Sequence, residues 1–270
     1  MTKTENKSEK RKTNQFDSKL SKAIKDYDLI HEGDTIMVGV SGGKDSMSLL
    51  YGLATRLKFR HENFKIIAVH IDVENVPYSI DSEYVKGFCN KHNIEFVIDK
   101  INIDFDKDPS KSHCFVCSWH RRKRLFELTE KYNCNKIALG HHLDDAIETL
   151  LINMCYHGSI SSMPVSLKMF KDKIELIRPL ILLTNKEIRN FAKIMNFPSE
   201  KENCPWEDKS KRSQAAEIIN EIEKRFKPAR KGIFKSMSKI YTEYLPVEKG
   251  KSPIIERLNQ YQDNDKNVLS

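Results

Sequence analysis

The stretch Ile36 to Leu50, IMVGVSGGKDSMSLL, constrains this chain more than any other. Ile36 to Val40 is a short apolar run of the kind that forms a buried strand. Ser41-Gly42-Gly43-Lys44-Asp45-Ser46 follows, and then Met47, Leu49, Leu50 and Leu53 are spaced like the inner face of a helix. A strand, a glycine turn and a helix start together make an anion site. Glycine lets the backbone approach a phosphate, and the unpaired amides of the first helical turn point at it. Ser41 and Ser46 add hydroxyl donors and Lys44 a mobile positive charge.

The spacing is neither that of the Walker loop nor that of the dinucleotide fingerprint GxGxxG. SGGKDS after a strand resembles the PP-loop of ATP-pyrophosphatases, which split ATP between its α and β phosphates. The alternative is an ordinary strand-to-helix turn, where Gly and Ser are common.

The alternation continues along the chain. Lys65 to Ile71 reads as a second strand closed by Asp72, Asp81 to His92 as a helix, and Glu95 to Ile98 as a third strand. Lys136 to Gly140 reads as a fourth strand and Ile174 to Ile177 as a fifth. The expected fold is α/β: a parallel five-stranded sheet with helices on both faces and right-handed crossovers. Ligands in such sheets sit at the carboxyl ends of the strands, which sets His70, Asp72 and Gly140 beside the glycine loop. His141-His142-Leu143-Asp144-Asp145 follows the fourth strand, and its acids could bind Mg²⁺ or place a proton-transfer group.

Residues 1–15 carry almost no apolar side chains and read as a disordered basic arm. Residues 16–200 read as the nucleotide domain with an inserted CxxC, 201–245 as a helical basic extension carrying a further cysteine, and 246–270 as a flexible tail. A short helix is expected over 16–31, with Leu20, Ile24, Tyr27 and Ile30 at helical spacing. No apolar run is long enough to span a membrane and the N-terminus is charged rather than signal-like, so a cytoplasmic protein is expected.

The 46 basic and 38 acidic side chains leave a net charge of +8, which favours a polyanionic partner. Two stretches concentrate it. One holds Arg121, Arg122, Lys123 and Arg124. The other runs from Lys224 to Lys239 and contains Lys227, Arg230, Lys231 and Lys235 without an acid. Both are candidate nucleic-acid surfaces.

Cys114 and Cys117 can converge on one centre as a redox dithiol, half of a zinc site or part of an iron–sulfur cluster. No second CxxC or Cys-x-x-His completes a zinc site, and the segment before the pair reads as a polar loop instead of the strand expected before a redox dithiol. The helix is expected to begin at Ser118. Cys204, in Asn203-Cys204-Pro205-Trp206, can supply a third sulfur. Cys89, Cys134 and Cys155 read as small core residues. Three ligands around a four-iron cluster leave one iron open to carry a sulfide.

SGGKDS, CFVCSWHRRKRLFE, KIALGHHLDDAIETLLINMCYHG and IRPL together resemble the tRNA 2-thiocytidine synthetase (TtcA) family over roughly residues 15–245. The resemblance implies an ATP-dependent sulfurtransferase. Such an enzyme activates the C2 oxygen of cytidine 32 in the tRNA anticodon loop and replaces it with sulfur. It implies ATP, Mg²⁺ and a [4Fe-4S] cluster as cofactors, tRNA and a cysteine desulfurase as partners, and is compatible with a homodimer. Ser41 to Ser46 then fall on phosphate binding, with Lys44, Asp45, Cys114 and Cys117 at the chemistry. Cys114, Cys117 and Cys204 fall on the cluster, and Asp144 or Asp145 on the ATP and Mg²⁺. Zinc-finger cysteines of the related 2-thiouridine synthetases are absent here, and lysidine synthetases lack the CxxC. Sulfur transfer to another base or a small molecule stays open, as does a non-catalytic iron–sulfur regulator that binds nucleotide.

Overall fold

The computed structural model describes residues 3–58, 63–107, 109–198 and 211–246. Its strands are β1 (Thr35–Gly39), β2 (Lys65–Val73), β3 (Glu95–Ile101), β4 (Lys136–Ala138), β5 (Ser166–Met169) and β6 (Ile174–Ile177). They form one sheet in the order β3-β2-β1-β4-β6-β5. The five expected strands are present and parallel, and β5 adds a sixth, antiparallel one at the edge. Ser166–Met169 is too short and too polar to announce itself; it becomes a strand through its hairpin with β6, Leu167 opposite Leu176.

The chain divides into two compact units. The first comprises Met1–Leu143 and Pro164–Lys209 and holds the whole sheet. Its helices are α1 (Lys3–Asp26), α2 (Lys44–Arg56), α3 (Ser82–Lys91), α4 (His113–Lys131) and α6 (Asn185–Ile194), and α5 (Leu143–His157) begins at Leu143, where its first segment ends. The second unit contains the rest of α5, together with α7 (Lys211–Arg225) and α8 (Ala229–Ser236).

Strand alternation assigns the two faces of the sheet. Ile36, Val38, Ile66 and Ala68 lie in one core with Leu20 of α1, Leu50 of α2, Val85 of α3 and Ile188 of α6. Gly39 points the other way, toward Leu125 of α4, and α4 packs on β2 and β4. Helices therefore cover both faces, as expected.

The N-terminal arm differs from expectation. Residues from Lys3 onward are helical and continuous with the amphipathic segment, so α1 replaces both the loose arm and the short helix. Phe16, Leu20, Ala23 and Ile24 are buried, and Phe16 stacks on Phe191 at 3.7 Å between ring centres. Once that packed segment has nucleated a helix, extending it through polar residues costs little. Gly52 makes the approach of α1 to α2 feasible, since a Cβ there would lie 2.4 Å from Leu20.

At the amino ends of β1, β4 and β6, the buried Lys136 ammonium lies 3.0 Å from Asp34 and 3.1 Å from Glu175, and donates to the Leu29 carbonyl. This network fixes the register that sets the opposite, carboxyl ends of the same strands. The order reverses at β1, which has β2 on one side and β4 on the other. That switch point is where an open α/β sheet takes a ligand.

Candidate active site

The glycine loop leaves β1 at the switch point. Gly42 has φ +82°, and a Cβ there would strike Ile80 at 2.5 Å, so only glycine suits the position. Ser41 N–H donates to Ser46 Oγ at 3.2 Å, and Ser46 Oγ donates to the Gly43 carbonyl at 3.0 Å. These bonds fold the loop on itself. Asp81, Ser112 and Thr184 cap α3, α4 and α6 with their side chains, whereas Gly43 starts α2 with no side-chain cap. The first amides of α2 therefore keep their donors for a ligand.

Gly140, just past β4, lies against this turn. A Cβ on it would be 3.0 Å from Asp45 C and Ser46 N. Lys44 Nζ lies 2.7 Å from Asp45 Oδ2, and His142 Nε2 3.7 Å from Asp45 Oδ1. His70 is buried within β2, with Nδ1 2.8 Å from the Val40 carbonyl. A carbonyl only accepts, so Nδ1 carries the proton and Nε2 keeps its lone pair. Burial, more than the nearby Arg121 charge, lowers the His70 pKa and keeps the ring neutral. Asp72 follows two residues later on the same strand.

The CxxC is not in a loop. Ser112 caps α4 by accepting from Phe115 N–H, so Cys114 and Cys117 stand on the first turns of that helix, three residues apart on one face. A Ser cap before His113 is the sequence signal that would have moved the helix start from Ser118 to here. Neither thiol is in a disulfide. Cys117 packs against the apolar cluster of Val73, Val76, Ile103 and Val116. Cys204 lies outside the described residues. Cys89 and Cys134 are buried, with thiols pushed up to about 11 by burial, whereas Cys155 is exposed and is not the core residue expected.

Tyr78 links the two motifs and carried no signal in the sequence. It packs on the apolar cluster that includes Cys117, and its hydroxyl donates to the Ser41 carbonyl. The glycine loop and the CxxC helix are thus held in one neighbourhood.

The basic side chains divide. Arg124 forms a bidentate pair with Asp99 at 2.6 and 3.0 Å and reaches Glu127 at 2.9 Å, which ties α4 to β3. Arg121 lies over the Tyr78 ring at 5.9 Å. Lys123 is exposed beside Trp119, and Arg122 is turned back to the Ser118 carbonyl. Of the four residues expected to face nucleic acid on α4, Lys123 is the exposed one.

In the second unit, Asp144, Asp145 and Glu148 open α5. Arg230 Nε lies 2.7 Å from Asp144, while Arg212 lies 3.6 Å from Asp145 and 4.0 Å from Glu148. Arg230 also reaches Asn220 at 2.5 Å, and its N–H donates to Glu223 at 2.8 Å. It is an internal residue, not the open contact expected. Burial foremost, then Asp145, raises the Glu148 pKa to about 7. Lys227, Lys231 and Lys235 are exposed. Among the described residues no three His, Cys, Asp or Glu converge as a metal cage. Asp144 and Asp145 still offer the hard oxygen donors that Mg²⁺ takes one or two at a time beside phosphate and water. No helix among the described residues is long and apolar enough to cross a membrane.

Residues 12–216 match a family model described as a PP-loop domain. The chain is 33% identical to a tRNA-cytidine(32) 2-sulfurtransferase of Geotalea uraniireducens, over 84% of this chain and 92% of that relative. It is 34% identical to one of Pelobacter propionicus, over 84% and 86%. Among solved structures, the U34-tRNA thiolase NcsA of Methanococcus maripaludis, determined with its [4Fe-4S] cluster, superposes with a TM-score of 0.73 at 22% identity. That match covers 96% of this chain and 90% of that one. At this identity the likeness speaks to the fold.

Proposed function

Because this chain belongs to the PP-loop domain family, and within it to the tRNA-cytidine(32) 2-sulfurtransferases, we propose that it is an ATP-dependent enzyme that thiolates cytidine 32 of tRNA. The observation that carries the reading is Tyr78, which packs on the same apolar cluster as Cys117 and is bonded to Ser41, so that a glycine loop and a pair of thiols share one neighbourhood.

In the first half-reaction the C2 oxygen of the base attacks the α phosphate of ATP, and pyrophosphate leaves. The uncapped amides of α2 and the Lys44 ammonium hold the phosphates and take up the charge that builds on the leaving group. Asp45 orients Lys44 meanwhile. His70, whose ring is neutral, and Asp72 border the nucleotide toward the carboxyl end of β2. Asp144 and Asp145 would offer the oxygen donors that Mg²⁺ prefers, and the ion would supply charge neutralisation to the phosphates. In the second half-reaction a sulfide-level sulfur forms the C–S bond at C2, and the activated oxygen departs with AMP.

Cys114, Cys117 and Cys204 are the thiolates that would hold a [4Fe-4S] cluster, and two of them stand one turn apart on one face of a capped helix. With only three protein ligands, such a cluster would supply one iron free to accept a soft sulfur ligand. Sulfur from a cysteine desulfurase, a cytoplasmic setting and a homodimer complete the reading.

The test is reconstitution with ATP, Mg²⁺, a sulfide source and tRNA from a strain without the gene. The expected products are AMP, pyrophosphate and 2-thiocytidine, with pyrophosphate release dependent on tRNA. ADP and phosphate as main products, or a thiolated base other than cytidine, would overturn it.

A further inference from the structure

Tyr78 stands on the segment between β2 and α3, and its hydroxyl and its ring serve different neighbours. The hydroxyl donates to the Ser41 carbonyl at the entry to the glycine loop. The ring lies under the Arg121 guanidinium, 5.9 Å from centroid to Cζ. Ile80, two residues on, fills the space against Gly42. The segment is thus a strap across the loop, fastened at Ser41 and Gly42.

Arg121 is one helical turn beyond Cys117, on the same side of α4. It is half-buried, and its positive charge is felt at His70, at the carboxyl end of β2. Among the described residues it has no acidic partner, in contrast to Arg124 three residues on, which has two. A half-buried guanidinium without a counter-ion, beside a loop whose amides await an anion, is arranged for a phosphate.

We propose that Tyr78 is a positioning residue for the nucleotide half of the reaction, fixing the phosphate loop through Ser41 and seating Arg121 so that its guanidinium faces the phosphates of ATP. The assignment rests on the reading of this loop as an ATP site. It moves Arg121 from the RNA surface to the nucleotide. Bound there, the guanidinium meets phosphate oxygens as a planar donor fork, which a lysine at the same place cannot reproduce.

The experiment is a double-mutant cycle on the full chain, read as equilibrium binding of α,β-methylene ATP, with tRNA affinity and thermal melting measured beside it. Tyr78→Phe keeps the seat and removes the hydroxyl; a loss of about fivefold in analogue affinity is expected for one hydrogen bond. Arg121→Gln is expected to lose about tenfold or more, as for a charged hydrogen bond. Arg121→Lys should recover only part of this. Tyr78→Leu removes both the hydroxyl and the aromatic seat, so adding Arg121→Gln to it should cost much less than in the parent. Affinity for tRNA should stay unchanged throughout.

Unchanged analogue binding in Tyr78→Phe and Arg121→Gln overturns the proposal. So does an equal cost of Arg121→Gln in both backgrounds, or a loss confined to tRNA binding. Should Tyr78→Leu fail to fold, the Phe and Gln variants still decide. A parent protein that binds the analogue yet leaves cytidine 32 unthiolated would sink the substrate reading and leave the assignment of Tyr78 standing.

Discussion

Arg230 Nε donates to Asp144 Oδ1 at 2.7 Å, and the same guanidinium reaches Asn220 at 2.5 Å. Both partners of the ion pair are largely buried, at 19% and 7% side-chain exposure. Removing one partner of such a pair strands the other charge, at a cost of about 3 kcal/mol. Arg230→Ala is therefore expected to lower the melting temperature, and Arg230→Lys to restore little, since an ammonium cannot span both acceptors. A variant that melts like the parent would show the pair to be incidental.

Glu148 gives the second unit a pH dependence. Its folded pKa, about 7, lies above the ordinary carboxylate value of 4.5. A raised acid binds its proton more tightly when folded, so its contribution is fully present below pH 4.5 and is lost as pH climbs toward 7. The total is on the order of 3 kcal/mol. Glu148→Gln should flatten the fall in stability between about pH 5 and 7 and gain on the parent at about pH 8. Parallel melting curves for the two proteins across that range would contradict this.

Gly140→Ala places a methyl 3.0 Å from the backbone of Asp45 and Ser46. Backbone cannot swing aside as a side chain can, so the loop itself must move. Overpacking of this kind costs about 1–3 kcal/mol, and it falls on the first amides of α2, the proposed phosphate donors, so nucleotide affinity should drop about tenfold or more. Calorimetric titration with the non-cleavable analogue measures it, and parent-like affinity would remove Gly140 from the site.

Anaerobically purified protein is expected to be brown. Serine at Cys114, Cys117 or Cys204 should abolish iron and sulfide content, whereas serine at Cys89, buried with its thiol pushed to about 11, or at exposed Cys155 should retain both. Stoichiometric zinc in place of iron would overturn the cluster.

Binding of tRNA should weaken steeply with salt. Glutamate at Lys231 and Lys235, both exposed, should reduce affinity and make the salt dependence shallower, by roughly one unit of slope per phosphate that these lysines neutralise. The pair Arg122 and Lys123 should behave the same way, with nucleotide binding intact in each. If neither pair changes tRNA affinity, the RNA lies elsewhere.

The sequence by itself marked the glycine turn after the first strand, the parallel strands and two closely spaced thiols. Each is a local pattern legible within a few residues: an apolar run, two glycines between a strand and a helix, two cysteines separated by two residues. It also delimited the charged stretches. Tertiary structure decided where those charges go. Arg121, Arg122, Lys123 and Arg124 look alike in sequence, yet one lies on Tyr78, one turns to its own helix, one faces outward and one is locked to Asp99. Arg230 likewise finds Asp144, 86 residues away. A guanidinium serves RNA, phosphate or carboxylate equally well, and only the fold's long-range placement of the acceptor selects among them. The same holds for β5, which exists through its partner strand, for the residues ahead of Phe16, which are helical because a packed helix follows them, and for Tyr78, whose role depends wholly on the loop and the helix that the fold brings to it.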